Sequence, residues 1–299
     1  MPASVFGVLA RLGMVALMTY GGDSVFPLAY AQALGCLVMG FALRLKEPIG
    51  QFYGPFYTAL TTGRFCGSLT TFSSWQLQVF QAWINAGQYN RSGFQDFLDG
   101  VANSCITLSL SLASLAFGFK IASLLAPYFP RPRFPHRTVR YSISGFAVLL
   151  YVATYFTYFF LPSEFRHQAT AALLFSFPGT LTRYILSVLL NQRTKALPLG
   201  TLTANTLGSA LLAAFHTLQS TTNPHACSIL QGLADGYCGC LTTVSTFAAE
   251  VREFPTRKAC RYVVVSWVLG QVMMILVLGT SIWSGHARGQ VTCSFQLVR

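Results

Sequence analysis

Residues 67–73 read Gly-Ser-Leu-Thr-Thr-Phe-Ser, and nearly the same seven residues, Gly-Cys-Leu-Thr-Thr-Val-Ser, return at 239–245, 172 positions further along the chain. Both copies combine glycine with hydroxyl side chains, which weaken a helix, and both lie between apolar segments. In a bilayer, backbone outside the helical hydrogen-bond ladder is tolerated only where it is buried in protein or lines water. The doubled motif therefore predicts a duplicated membrane protein whose two interrupted helices lie at an internal interface or along an aqueous path.

The composition of the 299 residues is typical of a membrane protein: 53% are hydrophobic and only 9% are charged, against about 25% charged in soluble domains. The net charge of +12 comes from basic residues that lie mainly in short segments between apolar runs. The positive-inside rule predicts this distribution, whereas nucleic-acid binding needs a basic stripe on a folded surface. We expect the lipid bilayer as the partner of the chain, and no nucleic acid.

Nine apolar segments are close to the ~20 residues that a helix needs to cross a bilayer. They cover residues 5–20, 26–45, 55–82, 98–125, 141–161, 169–190, 197–217, 226–250 and 260–284. The third and the eighth are long and contain the doubled motif, so we expect each of them to be a broken helix. The sequence thus predicts an all-α membrane protein with nine transmembrane helices, since long unbroken apolar runs are not typical of a β-barrel.

The lysine and arginine residues predict the orientation. If the N-terminus is cytoplasmic, 13 of the 20 basic residues lie in inner loops and helix ends, 4 lie outside, and 3 lie within spans or at their edges. Cytoplasmic loops are enriched in these residues. We predict a multi-pass protein of the plasma membrane with a cytoplasmic N-terminus and an extracellular C-terminus. Residues 1–22 lack the pattern of a cleavable signal peptide.

The repeat extends beyond the motif. Gly7 and Arg11 of the first span correspond to Gly179 and Arg183 of the sixth, again at an offset of 172. We therefore divide the chain into a first repeat of four spans (1–125), a cytoplasmic loop with one linking helix (126–162) and a second repeat of four spans (163–299). Because the linker crosses the membrane once, the second repeat enters from the opposite side, which predicts an inverted pair.

These motifs resemble the small fluoride channels called Fluc or CrcB, and their doubled form resembles the eukaryotic fluoride exporters called FEX. The shared features are Gly-x-x-x-Arg in the first span, Asn-x-x-Gly in the second, Gly-x-Leu-Thr-Thr-x-Ser in the third and a Tyr/Ser face in the fourth. The resemblance implies a fluoride channel with two antiparallel halves, a pore on each side and a central sodium ion. One such chain would be a monomer that contains an internal pseudo-dimer.

The resemblance implies that sodium is bound by the main-chain carbonyls of Gly67, Thr70, Gly239 and Thr242. Freed carbonyls near a pseudo-symmetry axis suit a hard monovalent cation. The alternative is that these small residues only allow helices to cross closely.

In the family, each pore takes one member of a phenylalanine pair from each half. Projected onto this chain, one pore receives Phe72 and Phe247 and keeps both aromatic rings, while the other receives Trp75 and Val244. The second-span amide is Asn205 in one repeat and Gln32 in the other. We therefore predict one working pathway and one degenerate pathway.

The fourth spans supply hydroxyl and amide groups at helical spacing. We assign Thr107 and Ser111, which follow Asn103 on one face, to the working pathway, with Ser104 and Ser109 as competing alignments. Tyr262 and Ser266 are assigned to the degenerate pathway. Such hydroxyls also commonly bond back to their own helix, which is the alternative to a polar track for anions.

The remaining polar residues have mostly structural interpretations. Arg11 and Arg183 are expected at aqueous vestibules or in a structural role, because an unpaired charge in hydrocarbon is costly. Glu250 and Asp235 are the only candidates for a proton carrier of the alternative function, a proton-coupled antiporter of the dual-topology type. The cysteines are expected to be free thiols. No catalytic motif is present, so we do not expect an enzyme.

The resemblance implies a fluoride-selective channel that exports fluoride and confers fluoride resistance. The lack of a nucleotide site or a convincing proton relay in the sequence favours passive export.

Overall fold

The computed structural model describes residues 2–18, 26–46, 57, 64–128, 136–160, 168–193, 197–290 and 293, and every regular element in these ranges is helical. In the first half, the helices are α1 (Pro2–Met18), α2 (Pro27–Arg44), α3 (Cys66–Leu69), α4 (Phe72–Trp83), α5 (Gly93–Leu125) and α6 (Arg137–Phe160). In the second half, they are α7 (Gln168–Leu190), α8 (Leu199–Gln219), α9 (Pro224–Gly232), α10 (Gly239–Leu241), α11 (Ser245–Glu253), α12 (Thr256–Met274) and α13 (Thr280–Trp283).

Among the described residues, five helical segments are long and apolar enough to cross a membrane: Pro27–Arg44, Gly93–Tyr128, Arg137–Phe160, Thr170–Leu190 and Thr256–Trp283. The apolar helix α1 is shorter, with 17 residues. Helix α8 has 21 residues, which is a sufficient length, but its buried face carries polar side chains such as Asn205 and Ser209. The chain is therefore an all-helical membrane protein, as its composition predicts.

The structure contains both of the helix breaks that the sequence predicts. Helix α3 ends at Thr70 and α10 ends at Thr242, and both residues have extended backbone, with ψ angles of 146° and 155°. Helices α4 and α11 resume after each break. The second broken segment also contains a π-helical turn, Leu233–Cys238, ahead of α10. The start of the predicted third span, residues 55–63, lies outside the described residues except for residue 57.

Corresponding positions of the two repeats make corresponding contacts. Gly35 lies so close to the methyl group of Thr70 that a Cβ atom there would overlap it, and Gly208 has the same relation to Thr242. The first helices of the two repeats also meet, with 3.4 Å between the hydroxyl oxygens of Ser4 and Ser176. Gly35 and Gly208 therefore make the same kind of contact with the two copies of the motif.

Helix α6 lies at the edge of the bundle. Most of its apolar side chains are exposed, and among its residues only Tyr151 and Thr154 are buried. It is held against α7 by the Tyr151 hydroxyl, which donates to the Leu174 carbonyl at 2.8 Å. An exposed apolar surface of this kind is suited to lipid.

One expectation about the cysteines is wrong. Cys227 and Cys293 form a disulfide, with their Cα atoms 5.8 Å apart. The two residues are 66 positions apart, and only the fold brings them together. The same C-terminal segment is held near α4, because the Gln81 side-chain amide donates to the Gly289 carbonyl at 2.9 Å. Six cysteines are free, as expected, and four of them are buried.

Candidate functional site

The two breaks cap each other's helices. The Thr242 hydroxyl accepts from the backbone N–H groups of Phe72 and Ser73, both at 3.1 Å, at the start of α4. Reciprocally, the Thr70 hydroxyl accepts from Val244 at 3.3 Å and from Ser245 at 3.1 Å, at the start of α11. Each hydroxyl also donates to a carbonyl of its own helix, four residues earlier. A hydroxyl can donate one hydrogen bond and accept two, so these bonds use its full capacity. The two breaks are therefore joined to each other by hydrogen bonds.

Two second-span amides hold the residues after the breaks. The Gln32 side chain donates to the Thr71 carbonyl at 2.7 Å and accepts from the Thr71 N–H at 3.1 Å. Asn205 makes the same pair with Thr243, at 3.3 Å and 2.9 Å. Both amides therefore fix backbone that has left the helical ladder, which is a role that the sequence analysis did not foresee for these two predicted pore residues.

The predicted vestibule arginines are buried and bind the breaks. Arg11 donates to the Ser68 carbonyl at 2.7 Å, to the Gly239 carbonyl at 3.1 Å and to the Asp235 carbonyl. Arg183 donates to the Gly67 carbonyl at 3.1 Å and to the Thr242 carbonyl at 3.4 Å.

Each guanidinium lies over the glycine of the opposite repeat, where a Cβ atom would overlap it. These contacts favour the structural interpretation of Arg11 and Arg183.

The carbonyls that would bind sodium are therefore shared with these guanidinium groups. Gly67, Gly239 and Thr242 each accept one bond from an arginine. A carbonyl oxygen has two lone pairs, so one remains available at each. Neutral carbonyl oxygens are the ligands that a hard cation prefers, and the described residues contain no cluster of three or more acidic, histidine or cysteine side chains that suggests another metal. The chemistry of these carbonyl oxygens therefore fits a sodium ion.

A row of aromatic rings runs past the breaks. Phe72 and Phe247, from opposite repeats, meet edge to face with 5.8 Å between ring centroids. Trp75 packs on Phe72 at 5.5 Å, and Tyr262 packs on Phe247 at 5.1 Å. All four side chains are buried. The structure thus brings together the two phenylalanines that the sequence assigned to one pathway.

Tyr262, which the sequence grouped with the degenerate pathway, lies against Phe247 of the other pair. Its ring lies on Phe247 and its hydroxyl donates to the Glu250 carboxylate at 2.8 Å. Ser266 follows Tyr262 by four residues on the same face of α12 and is also buried. The sequence could not show this, because the direction in which a fourth-span helix faces depends on the turn at Phe254 and Pro255 that precedes it.

Trp75 and Val244, the pair predicted for the degenerate pathway, lie in an apolar cluster. Trp75 and Val244 are buried together with Leu28, Cys36 and Leu115, which belong to α2 and α5. The indole N–H of Trp75 has no hydrogen-bond partner among the described residues. Phe72 belongs to the same cluster, so apolar surroundings do not by themselves distinguish the two pairs.

The hydroxyls of α5 bond within their own helix. Ser111 donates to the Thr107 carbonyl at 2.7 Å, and Thr107 donates to the Asn103 side chain at 3.3 Å. These three residues are buried, whereas Ser109 is exposed and Ser104 contacts the indole N–H of Trp267 at 3.1 Å. Asn103, Thr107 and Ser111 thus share a buried face of α5, and the Thr107 and Ser111 hydroxyls are bonded within the helix.

Glu250 is held by hydroxyl groups. Its carboxylate accepts from Thr201 at 2.6 Å as well as from Tyr262. Asp235, the other acidic candidate, accepts from the Gln231 side chain at 2.9 Å.

Sequence reasoning missed two features of the site. One is the pair of crossed threonine caps, which join residues about 170 positions apart. The paired Leu-Thr-Thr motifs were a signal that the two hydroxyls have equivalent roles. A second feature is the contact between Gln76 of α4 and Gln271 of α12, where one amide donates to the other at 2.8 Å. Nothing in the repeat pointed to it, because the residue equivalent to Gln76 in the second copy is Ala248.

The comparisons with known proteins agree with the predicted family. The family described as "CrcB-like protein, Camphor Resistance (CrcB)" matches residues 1–119 and 170–280, which together are most of the chain. The two matched segments fall within the two predicted repeats, and residues 120–169 between them are not matched. No solved structure matches the chain.

Curated relatives match nearly the whole length. Fluoride export protein 1 of Schizosaccharomyces pombe is 32% identical over 95% of this chain and 94% of its own length. Fluoride export protein 1 of Neurospora crassa is 31% identical over 97% of this chain and 67% of its own length. A shorter match, 40% identical over 76 residues, is to the fluoride-specific ion channel FluC of Escherichia coli and covers 24% of this chain and 58% of that protein. The resemblance inferred from the motifs is thus confirmed, and the chain belongs to the CrcB-like family.

Proposed function

We propose that this chain is a fluoride channel that exports fluoride from the cytoplasm by passive electrodiffusion and so confers fluoride resistance. Support comes from the family, from relatives named fluoride export protein and fluoride-specific ion channel, and from the chemistry of the site. A negative-inside potential drives an anion outward by about 2.3 kcal/mol per charge per 100 mV. No coupled energy source is needed for export in this direction.

The observation that carries the proposal is the contact between Phe72 and Phe247 at the crossed breaks. The edge of an aromatic ring carries partial positive charge, so two rings from opposite repeats can face an anion with their edges. Fluoride must lose water to pass, and a donor such as the Ser266 hydroxyl can replace part of that hydration. The pathway follows this pair. The second pathway is proposed not to conduct because Val244 stands where the first has the ring of Phe72.

Two arginines and a sodium ion would supply positive charge at the centre. When bound, sodium would join the carbonyls of Gly67, Thr70, Gly239 and Thr242 across the two breaks and raise the local potential for anions. Arg11 and Arg183 hold the same backbone in position, because each reaches from one repeat to the break of the other.

The proposed architecture is two inverted four-span repeats joined by α6, which makes the monomer a pseudo-dimer. The reciprocal contacts between Thr70 and Thr242 and their partners support this arrangement, since each repeat donates to the other what it receives. We place the N-terminus in the cytoplasm and the C-terminus outside the plasma membrane. The Cys227–Cys293 disulfide supports this orientation, because disulfides persist in oxidising compartments.

Fluoride efflux from proteoliposomes tests the function. We expect rapid efflux with chloride excluded, and no dependence on a proton gradient. Phe72→Ile and Phe247→Ile are expected to abolish efflux, whereas Val244→Ala, in the apolar cluster, is the matched control and should leave it nearly unchanged. Stoichiometric coupling to protons would instead support an antiporter and would refute the channel. Equal damage from Val244→Ala would show that the pathway is assigned to the wrong pair.

A further inference from the structure

The side chain of Gln76 fills a gap in the polar face of α12. This face carries Tyr262, Ser266 and Gly270 at intervals of four residues, and all three are buried. The glycine has no side chain to continue the series. Gln76 of α4 lies directly over it, because a Cβ atom on Gly270 would come within 2.8–2.9 Å of the Gln76 side chain.

Gln271 fixes the direction of the Gln76 amide. The Gln271 side-chain N–H groups donate to the Gln76 side-chain oxygen at 2.8 Å and to the Gln76 backbone carbonyl at 3.0 Å. The oxygen of the Gln76 amide is therefore the acceptor, and its Nε2 atom must be directed elsewhere. That nitrogen is buried and has no hydrogen-bond partner among the described residues.

A second polar group lies on the polar face of α12 that Gln76 covers. The Ser266 hydroxyl is buried, with 1% of the residue exposed, and apart from its neighbour Tyr262 on the same face it meets no hydrogen-bond partner among the described residues. A buried polar group without a partner is costly, so two such groups on facing helices indicate a site that a ligand fills. Both groups can donate a hydrogen bond, which an anion requires.

The position of these groups relates them to the aromatic pair. Gln76 follows Phe72 by one helical turn on α4, and Ser266 follows Tyr262 by one turn on α12. Phe72 and Tyr262 both contact Phe247. The two unpaired donors thus lie one turn beyond the rings, between the same two helices.

We propose that Gln76 and Ser266 form a dehydrated fluoride-binding position in the pathway, one turn from the Phe72 and Phe247 rings, in which the Gln76 amide replaces the side chain that Gly270 lacks. The inference rests on the proposed function and deepens it. Gln271 is a positioning residue, since it holds the acceptor end of the Gln76 amide and leaves the donor end for the anion. The second pathway has no equivalent, because Ala248 stands where the first repeat has Gln76.

The test is the concentration dependence of fluoride efflux from proteoliposomes. Gln76→Met keeps the length of the side chain and removes the donor, and Ser266→Ala removes one hydroxyl. Each is expected to raise the half-saturating fluoride concentration by about tenfold, because one hydrogen bond to an ion is lost. Gln78→Met is the matched control: it changes the same residue type on the same helix, at a half-buried position, and should behave as wild type.

The positioning role of Gln271 has its own readout. Gln271→Met should raise the half-saturating concentration as Gln76→Met does, and the double variant should be no worse than either single variant, since both remove the same oriented donor. Independent, multiplying effects would overturn the positioning role.

If Gln76→Met does not purify as a single folded species, Ser266→Ala carries the test. This inference would be overturned, and the proposed function left standing, by the following result. The wild-type chain moves fluoride, and Gln76→Met or Ser266→Ala has the same half-saturating concentration as Gln78→Met. A wild-type chain that moves no fluoride would overturn both.

Discussion

Replacing Thr242 by valine tests the crossed capping of the two breaks. Valine has nearly the same shape as threonine but cannot accept from the Phe72 and Ser73 N–H groups or donate to the Cys238 carbonyl at 3.0 Å. Loss of a helix N-cap costs about 0.5–2 kcal/mol. The site is fully buried, so water cannot replace the lost bonds, and we expect the upper end of that range.

A loss of about 2 kcal/mol lowers the unfolding temperature of a domain of 150–250 residues by about 4–8 °C, and we expect a shift of this order. The measurement is thermal unfolding of the purified chain in detergent, followed by intrinsic tryptophan fluorescence. Thr70→Val should have a similar effect, because its hydroxyl caps the start of α11 in the same way. Fluoride efflux should also fall, since α4 begins at Phe72 and α11 carries Phe247.

Two controls make the outcome decisive. Thr242→Ser keeps the hydroxyl and should remain within about 1 kcal/mol of wild type. Thr217→Val removes a hydroxyl that donates only within its own helix, to the Ala213 carbonyl at 3.0 Å. If Thr242→Val unfolds at the same temperature as Thr217→Val, the crossed caps do not hold the breaks together and the reasoning is refuted.

Three further predictions address the glycines, the disulfide and the cation. Gly67→Ala should strongly reduce both stability and efflux, because its Cβ atom would overlap the Arg183 guanidinium, while Gly145→Ala, whose Cβ atom would meet nothing within 4 Å, should be neutral; equal thermal shifts would contradict this. In intact cells, a membrane-impermeant maleimide should label Cys227 and Cys293 only after treatment with an impermeant reductant; labelling that also requires permeabilised cells would place them on the inside. Exchanging sodium for N-methylglucamine during purification should lower the unfolding temperature and slow efflux. An unchanged unfolding temperature and efflux rate would show that sodium is not bound at this site.

The sequence predicted the features that depend on local pattern. The doubled Gly-x-Leu-Thr-Thr motif located both breaks, the apolar composition indicated a membrane bundle, and the offset of 172 identified Arg11 and Arg183 as equivalents. These inferences work because helix interruption and membrane burial are properties of short segments. Phe72 and Phe247 could be paired only through the family resemblance.

Features that depend on how helices face one another were beyond the sequence. The side to which Tyr262 turns is set by the packing of α12 on α11, and one helical residue more or less rotates a face by about 100°. The disulfide joins a helix start to a chain end. Gln76 and Gln271 come from different repeats and have no shared pattern, so only the folded chain reveals that they meet.

The crossed caps have a consequence for biosynthesis. Helix α4 obtains its cap from Thr242, a residue that the ribosome adds 170 positions after Phe72. Within the first repeat, the Ser74 N–H is capped by Thr71 and the Thr71 N–H donates to Gln32. The Phe72 and Ser73 N–H groups lack their Thr242 partner until the later half of the chain arrives. The first half should therefore depend on a membrane chaperone, or remain loosely assembled, during that interval. Co-expression of the two halves as separate chains should allow each of them to fold, because Thr242 caps the start of α4 and Thr70 caps the start of α11.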